Sequence, residues 1–573
     1  MDWQRTIILG AIAIVSVVLI NEWGDFQQRN QPVISQETTA SQTTLPQLNS
    51  ETTTYVPQQV SDTGSGIASD IPAPRETQVT DVTQTAGSQN TLISVKTDAL
   101  EFLIDPHGGD IVKAALPQYL EQIDTPDQPF ILLNRTQATT YIAQSGLIGP
   151  NATDTTSGRP VFRSAQSSYE MAADQDTLNV DLTFQQGEVT ITKRFVFKRG
   201  DHLVNMEYHI NNQSSSDWKA TLFAQIKRDS HNPVVVDGFG MQPYLGAALT
   251  TPDTNYKKLD FEDLADEDLV NVGGFKVTQT GGWVAMVQHY FLSAWIPNQE
   301  EENHFSLRKA KGDNYLMGYT GPLETVAAGS TGVISASFYA GPKNIDRLEQ
   351  IAPYLDLTVD YGWLWWIAKP LFHFLNFIHS LLGSWGWSIV VLTIIIKAAF
   401  FQLSATSYRS MAKMRKFAPE MARMKELYGD DRQKMSQEMM KLYKKEKINP
   451  LSGCLPILVQ MPVFISLYWV LMESVELRHT PFLWWIQDLS VKDPLFILPV
   501  IMGVTMFIQQ KLNPTPPDPT QARIMAMMPF VFTFMFLWFP AGLVLYWVVN
   551  NTLSIAQQYF ITKRIEAGDV KTA

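Results

Sequence analysis

The sequence predicts a membrane protein: an α-helical bundle of six transmembrane helices, a large extracytoplasmic antiparallel β-sandwich domain and a cytoplasmic helical hairpin. Three observations support this fold class. Apolar runs occur once at the N-terminus and then crowd into the last third of the chain. Residues 23–355 carry 22 Lys and Arg against 39 Asp and Glu, whereas residues 356–573 carry 21 against 15. Between about 91 and 340, short runs alternate between apolar and polar residues.

The first predicted element is a transmembrane anchor over residues 1–25. Its apolar run, residues 6–20, follows Arg5, and Trp3 and Trp23 suit the two membrane interfaces. A cleavable signal peptide is the alternative, and it requires small residues in an Ala-x-Ala arrangement beyond the apolar core. This junction has none, so an uncleaved anchor is favoured.

A disordered linker is predicted over residues 26–90, because this stretch is rich in Gln, Thr, Ser and Pro and has little apolar surface to offset chain entropy. The β-sandwich domain follows over residues 91–345. Runs such as VTITKRFVFKRG and HLVNMEYHINN have the period of two that antiparallel strands require. The acidic stretch FEDLADEDL (261–269) is expected to form a solvated loop.

No catalytic, cofactor or metal site is predicted. The sequence has no phosphate-loop motif and no His cluster, and the acidic stretch lacks the spacing of a calcium-binding loop. The single cysteine, Cys454, excludes an internal disulfide. We therefore expect a protein that is not an enzyme.

The last third of the chain is predicted to consist of membrane spans joined by short segments. In order these are a connecting and amphipathic interfacial helix (346–383), transmembrane helix 2 (384–405), the cytoplasmic hairpin (406–450), transmembrane helix 3 (451–473), a periplasmic loop (474–493), transmembrane helix 4 (494–511), a cytoplasmic loop (512–523), transmembrane helices 5 (524–540) and 6 (541–561), and a cytoplasmic tail (562–573).

The orientation of these spans follows from charge. Residues 406–450 carry twelve Lys and Arg against six Asp and Glu, and basic loops stay in the cytoplasm. Six spans then place both termini in the cytoplasm and the large acidic domain outside.

The hairpin is predicted from helical periodicity. Apolar residues recur at steps of three and four, and they are Met414, Phe417, Met421, Met424 and Tyr428, followed by Met435, Met439 and Leu442. One interpretation is a self-packed hairpin with a solvated basic face. The other is a contact surface for varied apolar partners, to which Met is suited. Its basic residues, among them Lys441, Lys444, Lys445 and Lys447, would also favour anionic lipids or ribosomal RNA.

Lys397 is a charged residue inside an apolar run, roughly 9 Å from its cytoplasmic end. Burying a lysine at the bilayer centre costs about 2.5–3.5 kcal/mol even on the mildest scale. One alternative is that Lys397 extends to the inner interface. The other is a hydrated cavity, because polar residues in spans usually face the bundle interior or water. Candidates for its lining are Thr393, Gln402, Gln460, Gln509, Gln510, Asn550 and Asn551.

Several long motifs resemble the YidC/Oxa/Alb family of membrane insertases. They are YAGPK (339–343), the stretch from SMAKMRKFAPEM to FISLYWVL (410–471), VELR (475–478), DPLFILPVIMGVTMFIQQK (493–511) and FLWFPAGLVLYWVVNN (536–551). The resemblance spans nearly the whole chain.

The resemblance implies a five-helix insertase core with a hydrophilic groove that opens to the cytoplasm and to lipid. It implies that Lys397 stands at the groove's cationic position, that Thr393 lies near it, and that Trp547 contacts substrate. The family usually has Arg where Lys397 stands and Pro where Gln402 stands. It further implies insertion and folding of nascent membrane proteins in the bacterial inner membrane, alone or with the Sec translocon.

Two other functions are compatible with a membrane protein of this layout. A secondary transporter or channel would need paired repeats with broken helices, and the two halves of the chain have no such repeat. A carbohydrate-binding periplasmic domain would suit the β-sandwich but would leave Lys397 and the hairpin unexplained.

Overall fold

The computed structural model describes residues 91–155, 158–233, 243–428, 431–446, 455–513 and 519–566. The predicted anchor (1–25) and linker (26–90) lie outside the described residues. So do Cys454, Lys447 and residues 567–573 of the predicted tail.

The β-rich domain occupies the first part of the described chain. Its strands are β1 (Ile93–Lys96), β2 (Glu101–Asp105), β3 (Asp110–Leu120), β4 (Pro129–Arg135), β5 (Thr140–Ile148), β6 (Arg163–Ser164), β7 (Ser168–Glu170), β8 (Thr177–Gln186), β9 (Val189–Lys198), β10 (Leu203–Asn212), β11 (Trp218–Asp229), β12 (Gly246–Leu249), β13 (Lys257–Leu259), β14 (Phe275–Thr280), β15 (Val284–Val287), β16 (Phe291–Ile296), β17 (Glu302–Lys309), β18 (Asn314–Val326) and β19 (Thr331–Pro342).

The strands form two sheets. One has the order β14-β17-β18-β11-β5-β4-β3-β2-β1-β7, and the other has the order β13-β12-β15-β16-β19-β10-β9-β8-β6. The pairings are antiparallel apart from β1 with β7. In β9 every second residue from Val189 to Phe197 is buried, which is the pattern of a strand with one face on a core. The prediction of a large antiparallel β-rich domain is confirmed.

Side chains from the two sheets meet in one core. Trp295 of one sheet donates its indole N–H to the carbonyl of Gln225 in the other at 3.1 Å, and Tyr141 and Ser293 share a hydrogen bond of 2.8 Å. These contacts satisfy polar groups that packing of the sheets has buried.

The acidic stretch at 261–269 is helical, so the prediction of a loop there was wrong. Helices α1 (Phe261–Ala265) and α2 (Glu267–Asn271) follow each other directly. Asp260 accepts a hydrogen bond from the backbone of Asp263, whose side chain accepts one in return from the backbone of Asp260. This capping box and the buried Leu264 start a helix that composition alone did not indicate.

The C-terminal part is helical. Its α-helices are α3 (Ile345–Ile351), α4 (Trp365–Leu382), α5 (Trp385–Ala399), α6 (Phe401–Lys416), α7 (Ala418–Tyr428), α8 (Arg432–Lys445), α9 (Leu455–Glu473), α10 (Ile497–Leu512), α11 (Pro519–Met535) and α12 (Ala541–Glu566). Short 3₁₀ turns lie at Leu355–Thr358, Gly362–Leu364, Val475–Leu477 and Phe536–Trp538.

The helix expected over 384–405 is broken at Phe400. The α5 axis and the axis of the following helix differ by 66°. The break comes near the end of the apolar run, so the more polar helix α6 leaves the direction of α5. Helices α7 and α8 pack against each other, and the hydroxyl of Tyr443 lies 3.6 Å from the sulfur of Met421.

Taken one at a time, the helices in the described part of the chain are too short or too polar to cross a membrane. Trp385–Ala399 together with Phe401–Arg415 has the length and composition of a bent span. Leu458–Glu473, Ile497–Leu512 and Ala522–Trp538 are shorter apolar helices. The count of six transmembrane helices stays a prediction.

The β-rich domain and the helices share buried residues. Val475, which follows α9, packs into the core of the β-rich domain, and Trp283 of that domain packs in the same cluster as Leu471 of α9. Lys343, directly after β19, forms a buried ion pair of 2.6 Å with Glu473. The position of α9 is therefore tied to the β-rich domain.

Candidate functional site

Lys397 and three polar residues from two other helices form one cluster. The ammonium of Lys397 in α5 donates to the side-chain carbonyl of Gln460 in α9 at 3.4 Å. The amide nitrogen of Gln460 donates to the hydroxyl of Tyr546 at 3.1 Å and to the carbonyl oxygen of Asn550 at 2.5 Å. Tyr546 and Asn550 are four residues apart in α12, so they lie on one face of that helix.

The charge of Lys397 is not balanced inside the cluster. Its side chain is largely buried, with 9 % of the residue exposed. Gln460 is its only hydrogen-bond partner in the described part of the chain, and a length of 3.4 Å makes that bond weak. A buried cation beside neutral amides attracts a polar or acidic group from outside the protein.

Thr393 is close to Lys397 in sequence but does not offer its hydroxyl to the cluster. It is one turn earlier in α5, 1 % exposed, and donates to the backbone carbonyl of Ile389 at 2.6 Å. Gln402 is exposed and lies beyond the break at Phe400. The bend places Gln402 and Lys397 in different helices, and no hydrogen bond joins them among the described residues.

Gln509 and Gln510 are half-buried in α10, and neither is in hydrogen-bond contact with Lys397. The polar link between α10 and α12 is made by other residues. Asn551 donates to Thr505 at 3.3 Å, and Gln558 donates to the side chain of Asn513 at 2.9 Å. These amides join helices rather than extend the Lys397 cluster.

Trp547 lies next to the cluster on α12. Its ring packs against Phe464 with centroids 4.8 Å apart and against Phe536 at 5.9 Å. Its indole N–H is buried and has no hydrogen-bond partner within the described residues. A buried indole N–H usually finds a hydrogen-bond partner, so this unsatisfied donor sets Trp547 apart from the other rings around it.

Tyr546 was missed by sequence reasoning. It is fully buried and joins the cluster through Gln460. Its spacing of four residues from Asn550 is the available signal, because residues four apart lie on one face of a helix.

The predicted partner-contact lysines lie at the end of α8. Lys441 is exposed and pairs with Glu438 at 2.6 Å, three residues earlier. Lys444 and Lys445 are exposed in the last turn. No group of three or more His, Cys, Asp or Glu suited to a metal occurs in the ranges the structure describes.

Two family models match the chain. Residues 92–374 match the YidC periplasmic domain, and residues 377–568 match the 60Kd inner membrane protein family. The chain is similar to the membrane protein insertase YidC of Cellvibrio japonicus, with 56% identity over 576 residues and 100% of both chains covered. The chain belongs to the YidC family of membrane protein insertases. The predicted family resemblance is thereby confirmed.

A second relative agrees with this assignment. The membrane protein insertase YidC of Stutzerimonas stutzeri is 53% identical over 569 residues, with 99% of each chain covered. The match to a crystal structure of an active YidC insertase covers 83% of this chain and 93% of that chain, with 17% identity and a TM-score of 0.37.

Membership of the YidC family makes this chain a bacterial inner membrane protein with a periplasmic domain, and not an enzyme. The alternative of a transporter or channel with a carbohydrate-binding domain finds no support among these relatives.

Proposed function

We propose that this chain inserts integral membrane proteins into the inner membrane, and helps them fold, through a hydrophilic groove that opens to the cytoplasm and contains Lys397. The observation that carries the proposal is the buried ammonium of Lys397, whose only described partner is the neutral Gln460. Membership of the insertase family supports the activity itself.

The groove would act on the polar flank of a substrate. Lys397 attracts an acidic or polar segment into the bilayer, where the segment finds Gln460, Tyr546 and Asn550 as hydrogen-bond partners. Polar groups gain more from such partners in a low-dielectric site than in water. The substrate's apolar segment then partitions into lipid past Trp547 and Phe464.

Short helices would lower the free-energy barrier to the entry of the substrate's polar segment into the bilayer. Helix α5 has 15 residues and α10 has 16, which corresponds to about 22–24 Å of rise. The hydrocarbon core of a bilayer is about 30 Å thick. Helices shorter than the bilayer thin it locally, so a polar segment crosses less hydrocarbon.

The topology we propose has six membrane spans with both termini in the cytoplasm. The first span is the N-terminal anchor, and each of the other five contains one helix, in order α5, α9, α10, α11 and α12. The basic residues between 406 and 450 support a cytoplasmic position for α7 and α8. Helix α4, with exposed Trp365 and Trp366, would lie in the outer interface.

The partners we propose follow from charge and family. Nascent membrane proteins are the substrates, and the Sec translocon cooperates with the insertase on some of them. The exposed Lys444 and Lys445 at the end of α8 would contact ribosomal RNA or anionic lipid headgroups.

Reconstitution tests the proposed function. The purified full chain is placed in liposomes, and a short membrane-protein substrate is synthesised outside them. We expect protease-protected, membrane-spanning substrate that depends on the protein, with no flux of small solutes. Solute flux without substrate insertion would favour a transporter and contradict the proposal.

A further inference from the structure

A cavity of about 660 Å³ lies between the β-rich domain and the ends of the helices. One wall comes from β4, β5 and β11. The other comes from the end of α9, the segment after it and residues 538–540. In the proposed topology these helix ends lie at the periplasmic face of the membrane. The inference below rests on that topology.

Arg228 lines this cavity and has a buried N–H donor without an acceptor. Its side chain is almost fully buried, at 2 % exposure, and its guanidinium lies 4.5 Å from the ring centroid of Tyr141. Nη2 donates to the backbone carbonyl of His231 at 3.1 Å, but Nη1 has no partner among the residues described. A buried charged donor without an acceptor is costly, so a ligand that supplies an acceptor would bind favourably.

A second guanidinium lines the same cavity from the membrane side. Arg478 lies 5.5 Å from the ring centroid of Phe130 and 5.6 Å from that of Phe291. Nη2 donates to the backbone carbonyl of Glu121 at 3.0 Å, and the remaining N–H groups of its fork can serve a ligand. Arginine favours phosphate, because its planar fork matches the phosphate oxygens.

The remaining lining decides between ligand types. Lys492 adds a third positive charge, and Glu121, Asp229 and Asp488 add three negative charges. Both carboxylate oxygens of Asp229 accept backbone N–H groups, whereas Asp488 engages its neighbour Ser490 through Oδ1. A lining with equal numbers of both signs fits a zwitterion better than a ligand of one charge.

Apolar residues of the helix ends complete the site. Tyr468 and Met472 of α9 line it, together with Trp538 and Phe539. Aromatic rings of this kind are typical of the level at which lipid headgroups meet acyl chains.

We propose that this cavity binds a zwitterionic glycerophospholipid of the outer leaflet, with its phosphate on Arg228 and its ammonium on the carboxylate side. Phosphatidylethanolamine has this chemistry. The bound lipid would fill the junction between the periplasmic domain and the helix ends.

The test uses the delipidated full chain in detergent and native mass spectrometry with added phosphatidylethanolamine or phosphatidylglycerol. We expect one retained phosphatidylethanolamine in preference to phosphatidylglycerol. Arg228→Gln should weaken this binding about tenfold or more. Val491→Trp, at a half-exposed rim residue, should weaken it by filling space without removing charge. Arg347→Gln is the matched control, because Arg347 pairs with Asp201 outside the cavity.

Lys397→Ala should retain the lipid even where insertion fails, which separates this proposal from the proposed function. Equal retention of both lipids, or unchanged binding in both Arg228→Gln and Val491→Trp, would overturn the proposal. A photo-reactive benzoylphenylalanine at position 491 gives an independent readout. It should crosslink to lipid, and a crosslink to an inserting substrate instead would also overturn the lipid assignment.

Discussion

The ammonium of Lys343 and the carboxylate of Glu473 lie 2.6 Å apart, with side chains only 2 % and 3 % exposed. Lys343 follows the last strand of the β-rich domain, and Glu473 ends α9. Helix α9 also carries Gln460, which contacts Lys397. One buried ion pair therefore connects the periplasmic domain to a helix of the candidate groove.

Removing one partner of this pair should destabilise the protein. Lys343→Ala leaves the buried Glu473 without its ion-pair partner, and we expect a loss of about 3–5 kcal/mol. Lys96→Ala is the control, because the Lys96–Glu101 pair is exposed and its loss should change stability by less than about 1 kcal/mol. Thermal unfolding of the full chain in detergent measures both. Similarly small losses of stability in the two variants would contradict the role of the Lys343–Glu473 pair in connecting the β-rich domain to α9.

Glu476 should make stability depend on pH. It lies outside the helices assigned to the membrane, and burial raises its pKa from 4.5 to about 7. The folded protein favours the neutral acid. The contribution of Glu476 to the free energy of unfolding is therefore largest below about pH 4.5 and is lost as the pH rises through about 7. Glu476→Gln should therefore gain stability relative to the original chain between pH 5 and 8, on the order of 1–3 kcal/mol.

The stability of the original chain must be compared with that of Glu476→Gln, because buried histidines change stability with pH in the opposite direction. Burial lowers the pKa of His202 to about 4 and that of His289 to about 3, so their contribution is lost as the pH falls below 6.5. These histidines are unchanged in Glu476→Gln and cancel in the difference. A difference between the two proteins that stays constant from pH 5 to 8 would refute the assignment to Glu476.

Insertion should depend on a neutral side chain at position 460. Gln460→Glu keeps the shape of the side chain but places a carboxylate beside the ammonium of Lys397. The two charges would then pair, and the groove would lose its attraction for acidic substrate segments, so we expect insertion to fall severalfold. Gln402→Glu is the same change at an exposed position beyond the bend and should leave insertion unchanged. Equal effects of the two variants on insertion yield would contradict this role.

The lysines that end α8 should matter for ribosome binding. Lys444→Gln with Lys445→Gln removes two exposed positive charges from the last turn while keeping good helix formers. We expect weaker and more salt-sensitive co-sedimentation with ribosomes, because each lost phosphate contact lowers affinity. The matched control is Lys309→Gln with Lys311→Gln in the β-rich domain. Unchanged binding across a salt series would identify the α8 lysines as solvated surface.

The sequence predicts the strands of the β-rich domain well, because a period of two records directly which face is buried, as from Val189 to Phe197. It also identifies Lys397, since a lysine in an apolar run stands out. It does not predict the bend at Phe400, where neither Gly nor Pro marks a break. It also misses Tyr546 and the Lys343–Glu473 pair, because these contacts join residues far apart in the chain and depend on how helices and sheets pack.

Replacement of Lys397 tests the central claim most directly. Lys397→Ala, Lys397→Arg and Lys397→Gln are compared in liposomes at matched protein levels, with a substrate that has an acidic flank and one whose flank is neutral. If the buried charge attracts the substrate, Arg should support insertion, whereas Ala and Gln should reduce it about tenfold or more for the acidic flank and less for the neutral one. Insertion of the acidic substrate by Lys397→Ala as efficiently as by Lys397→Arg would contradict the account.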